Sequence, residues 1–481
     1  MLLSALLSKT KVLSEYKDCE VSDVKVNSNE QLKNAIYVCI HGVKIDGHQF
    51  AAEALRKGAL YVICESNLGL EKQIIVEDTR LCYANMCKIL FENKADLLTL
   101  IATTGTNGKT SVSTIIKTLL NNAGIETGLV STIRAEYANE IESLEQTTPD
   151  PYILHQLFHK MERKGCKAVS MEASSHALDQ KRLSGCQFEI GVFTNLTQDH
   201  LDYHKDMEDY YLAKRKLFNI ARFGVINIDD TYGKRLTEEI QIPFYTYSIV
   251  NPKADFYADQ IICSNQGVQF NLHHKQIESK VSFAIPGLYS VQNALAGIAV
   301  ATKLGISLFN SISSIAKIKG IMGRNEIVYA NPSYQIICDF AHTPDGLENI
   351  LKSTRQYATG RVVLLFGCGG DRDKTKRPKM GAVASKYADF LIVTSDNPRT
   401  EDPEFIINDI LKGIPENKDH VVIVDRSDAI CYAIKNAMPN DTIILAGKGH
   451  EQYQIIGTRK YLYDERVIVQ DCVNNKDGDE Y

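Results

Sequence analysis

The stretch Thr103-Thr-Gly-Thr-Asn-Gly-Lys-Thr-Ser111 has the residue types of a phosphate-binding turn. An apolar run, residues 97–102, precedes it and suits one buried strand. Val112, Ile115, Ile116, Leu119 and Leu120 follow at helical spacing, with Gly124 as a stop signal. A glycine turn between strand and helix aims backbone N–H groups and a positive helix end at a polyphosphate. Lys109 would then reach the outer phosphates and the Thr110 hydroxyl would ligate magnesium. The strict pattern G-x-x-x-x-G-K-[ST] asks for glycine where this chain has Thr103. Glu172 closes the apolar run 168–171, and an acid at a strand end near such a loop can hold magnesium directly or through water. Residues 199–204 hold two histidines and two aspartates, which suggests metal or phosphate work.

Three further polar clusters each follow a short apolar run: Gly367-Cys-Gly-Gly-Asp-Arg-Asp373, Ser395-Asp-Asn-Pro-Arg399 and Gly447-Lys-Gly-His-Glu451. The runs are residues 362–366, 390–394 and 442–446, with a fourth at 421–424, and helical segments at 405–414 and 429–437 separate several of them. Buried strands alternating with helices imply a parallel sheet covered on both faces, with ligands beyond the carboxyl ends of its strands. Three charged clusters at that edge make a site for a small zwitterion or several carboxylates.

The elements that position these groups fall into three units. Residues 1–95 form a small α/β layer: strands at 35–40 and 59–64 with a helix at 50–57 between them. Residues 96–325 form a central unit led by the phosphate loop. It has a strand at 191–196, a helix at 210–218 with Leu212, Leu217 and Phe218 as apolar contacts, a β-meander at 255–274 and a small-residue helix after Gly287. Pattern alone makes Lys214, Arg215 and Lys216 a wet basic face. Residues 326–481 form the third unit, a Rossmann-like α/β sheet. The fold class is therefore α/β with three domains.

The chain has 481 residues, 44% hydrophobic and 23% charged, with a net charge of −5. That balance gives no support for nucleic-acid binding. The twelve cysteines show no C-x-x-C spacing, and most fall in apolar runs, so reduced core thiols in a cytoplasmic protein are expected. The N-terminal Met-Leu-Leu-Ser-Ala-Leu-Leu-Ser-Lys lacks a basic leader region and reads as a short amphipathic helix. No run is long and apolar enough to span a membrane. The polar tail 474–481 is expected to fray.

These motifs together resemble the Mur ligases. The resemblance rests on the phosphate-loop string, Thr147-Thr-Pro, Met171-Glu-Ala-Ser-Ser-His-Ala-Leu, Asn195-Leu-Thr-Gln-Asp-His-Leu-Asp-Tyr-His, Ala213-Lys, Asp339-Phe-Ala-His-Thr-Pro-Asp and the three clusters above. They run in order over nearly the whole chain, most closely in the pattern of UDP-N-acetylmuramoyl-tripeptide synthetases. Threonine at position 103 is usual in that family. The resemblance implies ATP-dependent ligation of meso-diaminopimelate to UDP-N-acetylmuramoyl-L-alanyl-D-glutamate through an acyl phosphate, in peptidoglycan precursor synthesis. It also implies a cytoplasmic monomer with small-molecule substrates, no nucleic acid and no membrane.

Residue roles follow from the same resemblance. Gly105, Thr106, Asn107, Gly108, Lys109, Thr110 and Ser111 would cradle ATP. Asn293 and Asp339 would meet its nucleoside, and Arg324 its phosphates. Thr110 and Glu172 would serve one Mg2+, and His200 and Lys214 a second, Lys214 being carbamylated by CO2. Thr147, Thr148, Ser174, Gln180 and Arg182 would hold the muramoyl peptide, and Ser28 the uridine end. Arg372, Asp396, Asn397, Pro398, Arg399, Gly447 and Glu451 would hold the incoming amino acid. Two positions depart from the family: Asn27-Ser28-Asn29 stands where it often has Asp-Ser-Arg, and Met322 stands where it usually has proline.

Three rivals bound this reading. L-lysine could replace diaminopimelate, but Arg399 argues for the amino acid with the extra carboxylate. A non-catalytic Mur-like scaffold would be expected to lose Lys109, His200 or Lys214, and all three are present. A folylpolyglutamate or cyanophycin type ligase shares the central unit but not the first unit, Asp396-Asn-Pro-Arg399 or Gly447 to Glu451.

Overall fold

A computed structural model describes residues 1–42, 45–132 and 134–478. The chain forms two compact units, one of Met1–Thr104, Gly124–Gly191 and Ala213–Gly224, the other of Gly105–Ala123, Val192–Leu212 and Val225–Tyr481.

The first unit opens with a four-stranded parallel sheet, β1 (Asp23–Lys25), β2 (Ala35–Val38), β3 (Tyr61–Cys64) and β4 (Gln73–Ile75), in that order. The expected helix between β2 and β3 is a 3-10 turn, Gly47–Phe50, running into the helix Ala51–Arg56. The N-terminal helix is Leu3–Leu6, and Leu3, Leu6 and Leu7 are buried against Val24, Ile36 and Ile63. Next come β5 (Thr99–Thr104), β6 (Thr127–Val130), β7 (Arg134–Tyr137), β8 (Glu140–Ser143) and β9 (Ala168–Glu172). Strand β9 lies between β5 and β6, parallel to both. β7 and β8 continue antiparallel.

Strands β10 (Ile190–Phe193) and β11 (Gly224–Asn227) follow in sequence. The helix Met207–Arg215 between them corrects two expectations. Leu212 is exposed, while Lys214 is fully buried beside Tyr210, Tyr211 and Ala213 in sequence. The apolar face runs through the tyrosines, so a lysine two residues beyond Leu212 falls on the inner side.

In the second unit β12 (Phe244–Ser248) pairs parallel with β13 (Phe256–Ser264). β14 (Gly267–His274) and β15 (Ile277–Phe283) complete the expected meander with one strand more. The C-terminal sheet contains β16 (Glu326–Ala330), β17 (Tyr334–Asp339), β18 (Val362–Phe366), β19 (Phe390–Val393), β20 (His420–Val422) and β21 (Asp441–Ala446). Its order is β16-β17-β21-β18-β19-β20, parallel except for β16. Val362, Leu364 and Phe366 enter one core with Leu347, Met380 and Ile407, while Val363 and Leu365 enter the other with Ile430 and Ile434. Strict alternation into two cores is what makes these runs wholly apolar. β20 is the exception. His420 and Val422 are exposed, because this strand lies at the sheet edge. A hairpin, β22 (Tyr453–Ile456) and β23 (Arg459–Leu462), precedes the last helix, Glu465–Gly478. That helix runs to Gly478, and residues 479–481 lie outside those described.

One more correction concerns the last helix. Cys431 and Cys472 are joined in a disulfide, Cα–Cα 5.3 Å, so the expectation of reduced thiols holds for the ten other cysteines only. Arg426 and Glu465 form a fully buried ion pair (Nε–Oε1 2.8 Å), and Arg426 also donates to the Ala446 carbonyl (2.9 Å). Removing one member of such a pair strands a buried charge at a cost of about 3–5 kcal/mol, whereas replacing both with apolar groups is close to neutral. Glu465→Leu is expected to lower unfolding stability by that amount, and the double variant Arg426→Met/Glu465→Leu to recover most of it. Denaturant titration of the three proteins checks this.

Candidate active site

Two cavities and a sheet edge gather the residues singled out by sequence. The first cavity, about 580 Å³, lies in the first unit and is lined by Asn27, Ser28, Asn29, Tyr37, Phe50, Arg80, Gln146, Gln180 and Arg182, among others. Asn27 Oδ1 accepts from Asn29 N (3.0 Å), a local turn that holds Ser28 at the wall. Asparagine thus fulfils the turn role open to aspartate at this place. Arg182 donates to Gln180 Oε1 (2.7 Å), to the Thr148 carbonyl (2.9 Å) and to Gln146. Thr148 Oγ1 in turn donates to the Glu172 carbonyl (2.8 Å) and accepts from Ser174 N (3.0 Å). The Glu172 carboxylate is buried and accepts from Thr132 N (2.9 Å) and Thr132 Oγ1 (3.0 Å), which leaves the Thr147 hydroxyl to donate to Thr132 Oγ1 (3.1 Å). Thr147, Thr148, Glu172, Ser174, Gln180 and Arg182 are therefore one hydrogen-bonded chain.

Sequence reasoning missed the loop between His41 and His48, whose Gly42, Ile45 and Gly47 line the same cavity. His41, Asp46 and His48 bring ligating atoms together. His48 Nε2, however, accepts from Glu65 N (3.2 Å), which leaves its Nδ1 protonated and donating to Asp46 (2.7 Å). With both nitrogens committed, the cluster serves to pin the loop. The signal was Asp46-Gly47-His48, an aspartate capping the following turn.

The second cavity, about 190 Å³, lies in the second unit. Asn107, Gly108, Ser111, Asn293, Arg324 and Asp339 all line it, with Tyr289, Phe340 and Asn349. Gly105 and Gly108 have positive φ (+152° and +85°); a Cβ on Gly105 would collide with Thr194 Oγ1, and one on Gly108 would sit 2.8 Å from Asn293 Oδ1. Only glycine gives this close, left-handed passage. Asn107 N donates to Asn195 Oδ1 (2.9 Å) and Asn107 Nδ2 to Asp345 Oδ2 (2.7 Å). The Thr106 hydroxyl donates to the Thr197 carbonyl (3.2 Å) and accepts from Thr197 N (3.0 Å). Lys109 Nζ donates to the Gly105 and Thr106 carbonyls (2.9 and 2.8 Å). Arg324 donates to Thr110 Oγ1 (2.9 Å) and its guanidinium lies 4.7 Å from the centre of the Phe340 ring. The turn before it closes through Arg324 N to the Ile321 carbonyl (2.9 Å), with Gly323 at φ +67°, so Met322 in place of proline leaves Arg324 in position. Burial raises the Asp339 carboxyl above its ordinary value, against the pull of Arg324. The cradle of N–H groups, the lysine and the arginine fit a polyphosphate.

Beyond the carboxyl ends of β18, β19 and β21 lies the third group. Asn397 Nδ2 donates to Glu451 Oε2 (2.8 Å), and Lys448 Nζ, fully buried, donates to Asn397 Oδ1 (2.9 Å) and the Tyr453 carbonyl (2.9 Å). Gly447 has φ +114°, and a Cβ there would meet Asp396 Oδ2 at 2.5 Å. Pro398 is buried and Arg372 exposed. Arg399, at φ +52°, uses one donor on the Gly370 carbonyl (2.8 Å). Burial and the neighbouring Arg372 lower the Arg399 guanidinium, as two cations facing one space must. Lys448 was the functional residue that pattern could not single out.

Of the four groups proposed around magnesium, Thr110 and His200 belong to the second unit and Glu172 and Lys214 to the first. Asp199 Oδ1 accepts from His200 N (2.9 Å); burial would raise that carboxyl, but His200, His342 and Lys376 outweigh it and hold it low.

A glycine cradle for phosphate and a charged edge beyond a parallel sheet define a nucleotide-dependent enzyme that handles a polar second substrate. Residues 103–301 match the Mur ligase middle domain, and residues 323–449 match the Mur ligase, glutamate ligase domain. The UDP-N-acetylmuramoyl-L-alanyl-D-glutamate–2,6-diaminopimelate ligase of Clostridioides difficile (strain 630) is 41% identical over 462 residues, 95% of each chain. Its counterpart in Caldanaerobacter subterraneus subsp. tengcongensis is 43% identical over 459 residues, 94% of this chain and 95% of that one. A solved structure of a ligase with the same description superposes with a TM-score of 0.69 at 33% identity, covering 95% of both chains. MurF of Thermotoga maritima, solved with ADP, shares the fold (TM-score 0.62, 16% identity, 95% and 98% covered). The chain belongs to the Mur ligase family.

Gly108→Ala is expected to weaken ADP binding about tenfold, because the added carbon would sit 2.8 Å from Asn293 Oδ1 and push it on the cavity wall. Gly124→Ala is the control. Its φ is +82° but nothing lies within 4 Å of the added carbon, so it should lose stability and keep affinity. Calorimetric titration of both variants decides.

Proposed function

We propose that this chain joins meso-diaminopimelate to UDP-N-acetylmuramoyl-L-alanyl-D-glutamate at the expense of ATP, as a cytoplasmic monomer in peptidoglycan precursor synthesis. The full-length likeness to diaminopimelate ligases carries the reading. No helix among the described residues is long and apolar enough to cross a membrane. Three domains divide the work: residues 1–95, 96–325 and 326–481. In support, β1 to β4 lie wholly within the first and β16 to β21 wholly within the third.

The muramoyl dipeptide occupies the larger cavity, with Ser28 at the uridine end. Thr147, Thr148, Ser174, Gln180 and Arg182 hold the peptide. ATP occupies the smaller cavity across the residue 105–111 loop, with Asn293 and Asp339 at the nucleoside and Arg324 at the phosphates. A carboxylate is a poor electrophile, so the glutamyl γ-carboxylate first attacks the γ-phosphate to give an acyl phosphate and ADP. The amine of diaminopimelate then attacks the acyl carbon and phosphate leaves. Lys109 and Arg324 offset the charge that gathers on the transferring group. Thr110, Glu172, His200 and a carbamylated Lys214 offer the hard oxygen and imidazole donors that would hold two Mg2+, which neutralise phosphate charge when bound. Buried lysine suits carbamylation: a neutral amine attacks CO2, and the carbamate turns a cation into an oxygen donor. Arg372 and Arg399 take the distal carboxylate; Asp396, Asn397, Gly447 and Glu451 take the amine groups, with Pro398 fixing the turn.

Two measurements test this. With ATP and the muramoyl dipeptide, mass analysis should show the diaminopimelate adduct, with kcat/KM about 10⁴-fold above that for L-lysine. Arg399→Ala should lose most of that discrimination. Equal use of lysine by the wild type would transfer the reading to a lysine-adding ligase. Lys214→Arg should be nearly inactive while still binding ADP, because guanidinium is not carbamylated and keeps its charge, and mass analysis in bicarbonate should find one added carboxyl on Lys214. A fully active arginine variant removes that role.

A further inference from the structure

The Lys448 ammonium is fully buried, and its three N–H bonds are accounted for by protein acceptors. They are Asn397 Oδ1 at 2.9 Å, the Tyr453 carbonyl at 2.9 Å and Glu451 Oε2 at 3.4 Å. Asp396 Oδ1 lies just outside, at 3.9 Å. The ring of Tyr463 covers the ammonium from a further side, 5.5 Å away. Nothing is left over for a ligand. Lys448 is thus no substrate contact, although it stands in the middle of the loop that makes the amino-acid site.

Its effect passes through its neighbours. Asn397 Oδ1 accepts both from Lys448 and from Ile455 N (2.9 Å), which fixes the amide so that Nδ2 points at Glu451. The charge count is equally specific. Asp396 and Glu451 are two carboxylates around one ammonium, so the group carries one uncompensated negative charge. Arg399 and Arg372 stand nearby, and with Asp371 set against them that neighbourhood carries one positive charge, while Arg426 is neutralised by Glu465. An amino acid with a distal ammonium and a distal carboxylate matches that pair of leftover charges.

We infer that Lys448 is a positioning residue that keeps Asp396 and Glu451 ionised together, leaving a single negative charge to receive the ammonium of the incoming amino acid. This rests on the site assignment above and deepens it. Two buried carboxylates this close would not both stay ionised without a cation between them. The two carboxyls are moved in opposite directions, Glu451 above its ordinary value and Asp396 below. Burial and Asp396 push Glu451 up, with Lys448 and the Asn397 amide pulling against them. Burial also pushes on Asp396, but Lys448, Arg426, His342 and Arg399 outweigh it and hold it low. Tyr453 faces the same acids, and burial with Glu451 pushes its phenol up to about 12, so it stays neutral throughout the working range.

The test is the pH dependence of KM for diaminopimelate. In the wild type KM should be flat from neutral pH upward. In Lys448→Met, Glu451 loses its cation and takes up a proton at higher pH than in the wild type, so KM should rise roughly ten- to hundredfold where that proton is bound and fall again as pH increases. KM for the muramoyl dipeptide and ADP affinity should not move. In Lys448→Met/Glu451→Gln the pH dependence should vanish. Should Lys448→Met not fold, Lys448→Gln serves instead: it keeps a donor for Asn397 but carries no charge, and the same pH-dependent rise in KM is expected. A neutral variant at position 448 with wild-type KM at every pH, or with a raised KM that does not change with pH, overturns the inference. Failure of the wild type to ligate diaminopimelate would instead overturn the functional assignment itself.

Discussion

One buried carboxylate ties the nucleotide cavity to the amino-acid edge. Asp339 ends β17, where its Oδ2 accepts from Asn325 N (2.6 Å) and its Oδ1 from Ala341 N (2.8 Å). Its backbone pairs with Ala446, and its carbonyl accepts from Gly447 N (3.0 Å). The same residue thus sets the turn carrying Arg324 on one side and the loop carrying Lys448 and Glu451 on the other. A buried carboxylate is costly unless its lone pairs are filled, and here backbone N–H groups fill them. Displacing the Arg324 turn would leave that charge short of a partner, and displacing the other loop would orphan the Asp339 carbonyl.

Much of this was legible in the chain. The strands β18 and β19, and β21 from Ile443 on, are wholly apolar because they feed two cores at once, and such runs need no tertiary information to be seen. The phosphate loop was legible because glycine at 105 and 108 is required by backbone geometry, and geometry writes directly into sequence. The three polar clusters were legible because parallel strands must all end at one edge. Ser28, Gln180 and Arg182 of the larger cavity were named from the family pattern, and Gln180 and Arg182 join Thr147, Thr148 and Ser174 in one hydrogen-bonded chain.

What stayed hidden depends on the partner across space. Lys214 and Leu212 exchange the faces that hydropathy assigns them, since two tyrosines set the inner side of their helix. Lys448 looks like any loop lysine until Asn397, Glu451 and the Tyr453 carbonyl surround it. β20 reads like its neighbours, but edge position is a property of the sheet order. Cys431 and Cys472 are 41 positions apart, and no spacing rule pairs them.

The alternation along the C-terminal sheet also separates what evolution can alter from what it cannot. Each central strand is committed on both faces, so an inserted or deleted residue in β18 would turn Val363 and Leu365 into the wrong core and strand Leu364 opposite them. The loops that follow β18, β19 and β21 carry none of that obligation. A lineage could exchange the third substrate by rewriting a few loop positions while the layers beneath stay unchanged, and the same scaffold would then serve cell walls of different chemistry.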